Sequence, residues 1–594
     1  MTVSEKVESQ SKIPSVKRPW NPTLEKTKGG VPGIRSLRNQ FKKAHARALI
    51  ARVIQEEFMK STMQACMFLL MVMLALGLSA CGSPATYTIS GTVTNFTSAA
   101  VPLQLQNNGA NTLSVTANGS FTFRSALRRG STYNVTISVQ PSSPVQTCGV
   151  THGNGTVTGN VTDVAVDCGH NEWSWMGGSN LSNQPGTYGT QGTPAPGNIP
   201  GPRTVAGTSM DATGNVWLFG GFGGDSTGAW GSLDDLWKYS GGEWTWISGS
   251  NLGNQAGTWG TQGTPAPDNV PAPRVGAVTW TDSTGNFWLF GGSGNDSAGA
   301  GGWLNDLWKY SGGEWTWMSG SNLVYQAGTY GTQGTAAPDN TPGAREGAAT
   351  WTDTTGDFWL FGGWGIDSTG TYGFFNDLWK YSGDRWTWMS GPNLINQPGT
   401  YGTQGTVAAG NIPGARAYAA WTDASGNVWL FGGKGLDSTG AWGFLNDLWK
   451  YSGGQWTWMS GSNLVNQPGS YGTQGTPAPS NVPASRNGGV AWSDAAGNFW
   501  LFGGQGRDPS GPYVRLNDFW RYSGGQWTWM KGSNLSNQPG TWGTQGTPAP
   551  DNTPSARQYA VGWKDQNGNF WLFSGDAIAS DGRLLPNDLW KYEP

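Results

Sequence analysis

Six arginines, Arg203, Arg274, Arg345, Arg416, Arg486 and Arg557, recur 70 or 71 residues apart, each opening a short run such as REGAATW. A planar guanidinium fork matches a carboxylate or a sulfate, so the chemistry these residues suggest is capture of an anionic ligand. The competing use is internal, with each Arg bonded to carbonyls of a neighbouring repeat or to the recurring aspartates Asp225, Asp296, Asp367, Asp437 and Asp508. Those aspartates head sequences such as Asp-Ser-Thr-Gly and are expected to form Asx-turns rather than to bind metal. A second set is aromatic: a G-T-[YW]-G-T-Q-G type segment places Tyr188, Trp259, Tyr330, Tyr401, Tyr471 and Trp542 equivalently. Rings rimmed by amides and hydroxyls would stack on sugars, or would staple each loop to its own sheet. Repetition alone does not separate the two uses.

The elements that must position these residues are strands. The second Trp of an [EQR]-W-[ST]-W signature falls at Trp175, Trp246, Trp317, Trp388, Trp458 and Trp529. Each unit holds an Arg-led run, a GNFWLFGG-type run, an NDLWKY-type run and the WTWM-type run. Four strands per unit fit one propeller blade. The Gly-Gly pair ending the second strand, the Asn-Asp-Leu-Trp-Lys-Tyr third strand and the Trp-led fourth resemble kelch repeats, as in the central domain of galactose oxidase, over residues 172 to 594. The resemblance implies an all-β fold, a six-bladed propeller, in which Glu172 to Met176 is a fourth strand that precedes any first strand. It must therefore complete the last blade, leaving no open sheet edge. First strands are innermost in a propeller, so the arginines are expected as a ring at the channel mouth. In kelch domains that capture acidic peptides, arginines at this strand position contact the ligand.

Loop lengths pick the working face. The turns at 281 to 286 and 311 to 314 are tight, whereas the connections from Ser319 to Ala344 and from Ser293 to Leu304 are long and open on the same face. Long loops in compact domains are usually functional or disordered, and near-identity between copies argues that these are ordered.

Residues 172 to 594 contain no His and no Cys. That excludes a copper-radical site of the galactose oxidase kind, Ser-His-Asp and Cys-His nucleophiles, and His-ligated zinc, and no cofactor or metal is expected. Carboxylate, Arg and Tyr chemistry remain. The six-bladed kelch sialic-acid mutarotase is the nearest family precedent, needing only acid–base help on a sugar. Glu346 is the single Glu at its position, its equivalents being Thr204, Val275, Ala417, Asn487 and Gln558. The copies otherwise depart chiefly at Lys434 and at Phe573-Ser574-Gly575. Near-symmetry favours binding or structure over catalysis.

Composition agrees with many short strands and Gly-rich turns: of 594 residues, 94 are Gly and 36 Trp, and 12% are charged. The formal net charge of −2 hides a basic stretch over residues 1 to 58 and an acidic region from 172 onward, so nucleic acid is not an expected partner. From Met59 one Lys precedes an apolar run from Cys66 to Ala80, too short to span a bilayer. Leu78-Ser79-Ala80-Cys81 resembles a bacterial lipobox, which implies a lipidated Cys81 and a membrane-anchored protein of the cell envelope. An ordinary secretory signal or an uncleaved anchor is the alternative. Residues 1 to 58 are either a misannotated start or a basic extension. Residues 82 to 171 alternate apolar and polar in short runs, which reads as an immunoglobulin-like β-sandwich spacer, with Cys148 and Cys168 its only cysteines. A disulfide is the simplest reading for an exported domain. The expectation is a lipid-anchored binding protein that takes a glycan or an acidic segment of a surface protein on the long-loop face. A simple sugar-modifying enzyme or a structural adhesin is the alternative.

Overall fold

The computed structural model describes residues 85 to 594, apart from 97–98, 143–145, 418–419, 424–425, 509–510 and 583–584, together with Gln64 and Met67. Cys81 and the expected signal segment around it, apart from Gln64 and Met67, and the basic stretch over residues 1 to 58 lie outside the described residues. Every named element is a β-strand.

Alternating residues build the first region. In Ile89–Thr94 the side chains of Ile89 and Val93 point inward, as do Leu103 and Leu105 of Leu103–Asn107, because successive residues of a strand face opposite sides. One four-stranded sheet runs Gly119–Thr122, Ile89–Thr94, Val161–His170, Thr147–Thr151, and a second runs Asn111–Val115, Leu103–Asn107, Thr132–Val139, Asn154–Thr156. Both feed one apolar cluster, so the region is a two-layer sandwich. Gly91 sits where a Cβ would lie 1.9 Å from the Val164 carbonyl oxygen, which explains a glycine inside a strand. Cys148 and Cys168 stand on adjacent antiparallel strands and are joined by a disulfide.

From Trp173 onward the same sheet recurs. In the first complete repeat, Arg203–Thr204 and Gly207–Met210 pair with Val216–Gly224, which pairs with Trp230–Ser240 and then Glu243–Ser248, all antiparallel. Val216, Trp217, Leu218 and Phe219 are all buried because the sheet is covered on both faces. Val216 and Leu218 join Trp563, Trp571 and Phe573 of one neighbour, while Trp217 and Phe219 join Phe287, Leu289 and Trp308 of the other. Equivalent clusters link each following sheet to the next. The innermost strands also touch in sequence, and Val561–Lys564 returns to Gly207–Met210, so the repeats close on themselves.

Closure uses the strand expected for it. Trp173–Gly177 pairs antiparallel with Leu589–Tyr592 beside Phe570–Phe573 and Val561–Lys564. Trp173 is fully buried there against Phe502, Phe519 and Tyr592. The Gly-Gly pair has a local cause. Gly220 and Gly221 have φ of 61° and 92°, and a Cβ on Gly220 would meet the carbonyl oxygens of Leu233 at 2.8 Å and Arg274 at 2.9 Å.

Candidate functional site

The recurring arginines do not line a channel mouth. Each is at most 1% exposed and grips the Asp of its own NDLW-type strand, pairing Arg203 with Asp235, Arg274 with Asp306, Arg345 with Asp377, Arg416 with Asp447, Arg486 with Asp518 and Arg557 with Asp588. In the third repeat both terminal nitrogens of Arg345 donate to Asp377, at 2.7 and 2.8 Å, while Nε donates to the Gly343 carbonyl and Nη1 to the Gly362 carbonyl. The other five repeats reproduce the pattern. With four of its five N–H groups bonded and the whole side chain buried, such a guanidinium is closed to a ligand, and the expectation of an anion-binding arginine ring is corrected on that ground. The internal alternative also had the wrong partner, since Asp225 and its equivalents serve elsewhere.

The loop aromatics complete the same buried clusters. The hydroxyls of Tyr188, Tyr330, Tyr401 and Tyr471 donate to Asp235, Asp377, Asp447 and Asp518 at 2.6 to 2.8 Å. The indoles of Trp259 and Trp542 donate to Asp306 and Asp588. Each Asp also accepts the indole N–H of the Trp two residues on, as Asp377 does from Trp379 at 2.7 Å. All six aromatics are buried, so none is available to stack on a sugar, and the expected ligand role is replaced by stapling of each long loop. Burial, followed by the adjacent carboxylate, pushes the hydroxyl pKa of Tyr188, Tyr330, Tyr401 and Tyr471 upward.

Asp225 is the turn former expected. It accepts from the backbone N–H groups of Thr227 and Ala229 and, with its second oxygen, from Gly253 of the next long loop. Burial opposes ionisation, but these bonds and that of the Thr227 hydroxyl outweigh it and lower the carboxyl pKa. Asp296, Asp367 and Asp437 clamp Val324, Ile395 and Val465 likewise. The side chain of Asp508 lies outside the described residues.

With the repeated polar groups consumed internally, what differs between repeats becomes informative. Three columns lie side by side across each sheet near the arginines: the residue after the Arg, the residue after Gly-Gly, and its partner on the next strand. Their rows read Thr204–Phe222–Ser232, Val275–Ser293–Trp303, Glu346–Trp364–Phe374, Ala417–Lys434–Phe444 and Asn487–Gln505–Arg515, with Gln558–Asp576 in the last repeat. Almost every position in these columns varies, whereas the flanking Arg, Gly-Gly and Asn-Asp-Leu-Trp positions barely do.

Neighbouring rows interact. Burial, the largest influence, raises the Glu346 pKa, and the nearby Trp303 indole and Lys434 ammonium oppose it. Arg515 holds Asp576 through two contacts of 2.7 and 2.8 Å, and Gln558 donates to the same carboxylate. Asn487 donates to the Tyr559 hydroxyl, whose pKa is pushed up to about 12 by burial and by the Glu346 charge. Glu346 and Lys434, two of the three departures visible in the sequence, thus stand close together. The neighbouring columns were missed because their adjacency appears only once strand register is known.

Beneath this surface the channel is narrowed by backbone. Gly276 donates its N–H to the Val205 carbonyl, Gly347 to Gly276, Val205 to Tyr559 and Tyr559 to Gly488. All five residues have φ between 51° and 64°, the left-handed region that Gly enters freely and a β-branched residue does not. Below lies a cavity of about 280 Å³ lined chiefly by Gly, Ala and Thr.

Among solved structures the chain is similar to YjhT, with 16% identity, a TM-score of 0.38, and coverage of 66% of this chain and 95% of that one. It is also similar to a fungal alcohol oxidase of the AA5 family in complex with copper, with 13% identity, a TM-score of 0.34, and coverage of 66% of this chain and 62% of the oxidase. No protein-family model and no curated protein matches the chain. The repeats lack the His and Cys residues that the copper-radical site named above would require.

Proposed function

We propose that the chain is a lipid-anchored protein of the bacterial cell envelope in which an immunoglobulin-like spacer, residues 82 to 171, carries a six-bladed kelch-type propeller, residues 172 to 594, that binds a glycan on its long-loop face. The carrying observation is that departures among otherwise like repeats gather in three adjacent columns on that face. A structural ring would have no reason to concentrate its variation there, whereas a site for an asymmetric ligand needs different side chains from each repeat. The face is divided. Phe222, Trp303, Trp364 and the exposed Trp442 supply aromatic surface from four consecutive repeats, and Gln505, Arg515 and Asp576 supply hydrogen-bonding groups from the other two, backed by the buried Asn487 and Gln558. Sugars present both an apolar C–H face and hydroxyls, which this division suits.

An acidic protein segment fits less well. The six arginines are consumed internally, and among the columns Lys434 and Arg515 are offset by Glu346 and Asp576. A second reading, acid–base chemistry on a bound sugar, is favoured by Glu346, whose carboxyl is biased toward its protonated form beside Tyr559. Titrating the full-length protein with a panel of neutral and acidic oligosaccharides, alongside Glu346→Gln and Gln505→Ala, tests the proposal. Weakened binding in both variants supports it, and acidic-peptide binding without glycan binding overturns it.

A further inference from the structure

One turn breaks the repeat rule at a cost. Asn183, Asn254, Asn396, Asn466 and Asn537 all occupy the left-handed region, with φ between 52° and 59°, which Asn tolerates through local hydrogen bonding. Four of these side chains accept a backbone N–H across the turn, from Ser232, Phe374, Phe444 and Arg515 at 2.9 to 3.1 Å. The second repeat has Tyr325 instead, held at φ 59°. A tyrosine ring cannot make that bond, and a bulky residue with positive φ is strained.

The exchange places a ring. Tyr325 packs against Trp303 at 5.4 Å and Tyr372 at 5.6 Å, Tyr372 lies 5.3 Å from Trp303, and Trp364 lies 6.2 Å from Trp303. Tyr325 and Tyr372 are 40% and 51% exposed, so the cluster is not a core. Its inner edge is the indole of Trp303, in the row beside that of Glu346.

We infer that these four aromatics form an outer sugar-stacking subsite, taking the apolar face of a neutral pyranose ring in a chain that continues inward past Glu346; this rests on the glycan-binding reading above. Two exposed rings fall far short of the about 800 Å² per partner that a stable protein interface buries. The rings supply no charge that would select an ionic ligand. Lost local stability at Tyr325 in exchange for an exposed ring is the pattern of a functional site.

The test uses full-length protein, titrated by calorimetry and tryptophan fluorescence with cellohexaose, chitohexaose, laminarihexaose and an oligogalacturonate. Tyr325→Asn restores the turn and is expected to raise the melting temperature while weakening binding of a neutral hexasaccharide at least tenfold. Tyr372→Ala should weaken it similarly. Wild-type affinity in both variants, with binding lost in Glu346→Gln, overturns the subsite and leaves the inner site standing. Binding of the oligogalacturonate alone contradicts the neutral-sugar assignment, and binding of none of the four overturns the subsite together with the glycan reading.

Discussion

Replacing Asp377 by Asn separates a structural arginine from a ligand-binding one. Asp377 accepts from Arg345 twice, from the Trp379 indole and from the Tyr330 hydroxyl, all within 2.8 Å and at 0% side-chain exposure. Asn has nearly the same volume but no charge, and its amide nitrogen offers a donor where only donors converge. The Arg345 cation stays buried without its counter-charge, a loss of about 3–5 kcal/mol for a broken buried pair. With an unfolding entropy of about 2.1 cal/mol/K per residue over the roughly 420 residues of the repeats, that corresponds to a melting shift of about 3–6 °C. Scanning calorimetry and guanidinium unfolding measure it. Tyr330→Phe, which removes one of four donors and leaves no bare charge, should cost only about 1 kcal/mol. An Asp377→Asn protein that melts with the wild type but loses ligand binding would refute the assignment of the arginines to the scaffold.

Other expectations follow from single departures. Asp234 stands where five repeats have Asn, and burial, with the adjacent Asp235 charge adding to it, raises its pKa to about 7 despite the Ser250 N–H. A carboxyl raised from 3.8 binds its proton more tightly when folded, so its contribution is intact below pH 4 and is lost as pH climbs to about 7. Asp234→Asn should therefore gain stability over wild type across that window, by up to about 4 kcal/mol, and a pH-independent difference would contradict this. Val205→Gly should stabilise by about 1 kcal/mol, since Val205 holds φ 56° where three repeats have Gly; chemical denaturation reads it. Deleting residues 172 to 178 should cost more than the about 3–5 kcal/mol of one buried Trp, because it also bares the edge of Leu589–Tyr592. An unchanged melting curve would argue against closure by this strand.

The strands were legible because their periodicity is strong: two-residue alternation marks the sandwich, and the Trp-rich runs mark sheets covered on both faces. Closure through Trp173–Gly177 was legible from strand counting. The partner of each arginine was not. Arg345 and Asp377 are invariant in all six copies, so nothing in the repeats couples one to the other, and Asp377 reads simply as part of a strand. The loop tyrosines misled for a related reason, because an amphipathic ring in a long loop looks alike whether it meets solvent or a buried carboxylate. Glu346 and Lys434 were visible as exceptions, yet their link through the Trp303 row needed the register Glu346–Trp364 and Ser293–Trp303.

The central claim is that the variable columns, and not the repeated arginines and loop aromatics, receive the ligand. Affinity of the full-length protein for the oligosaccharide panel, measured on wild type and on Trp364→Ser with Glu346→Thr, tests it most directly, since both substitutions put residues found at those positions in other repeats. The account predicts a folded protein with binding weakened at least tenfold. Undiminished binding by that variant would contradict it.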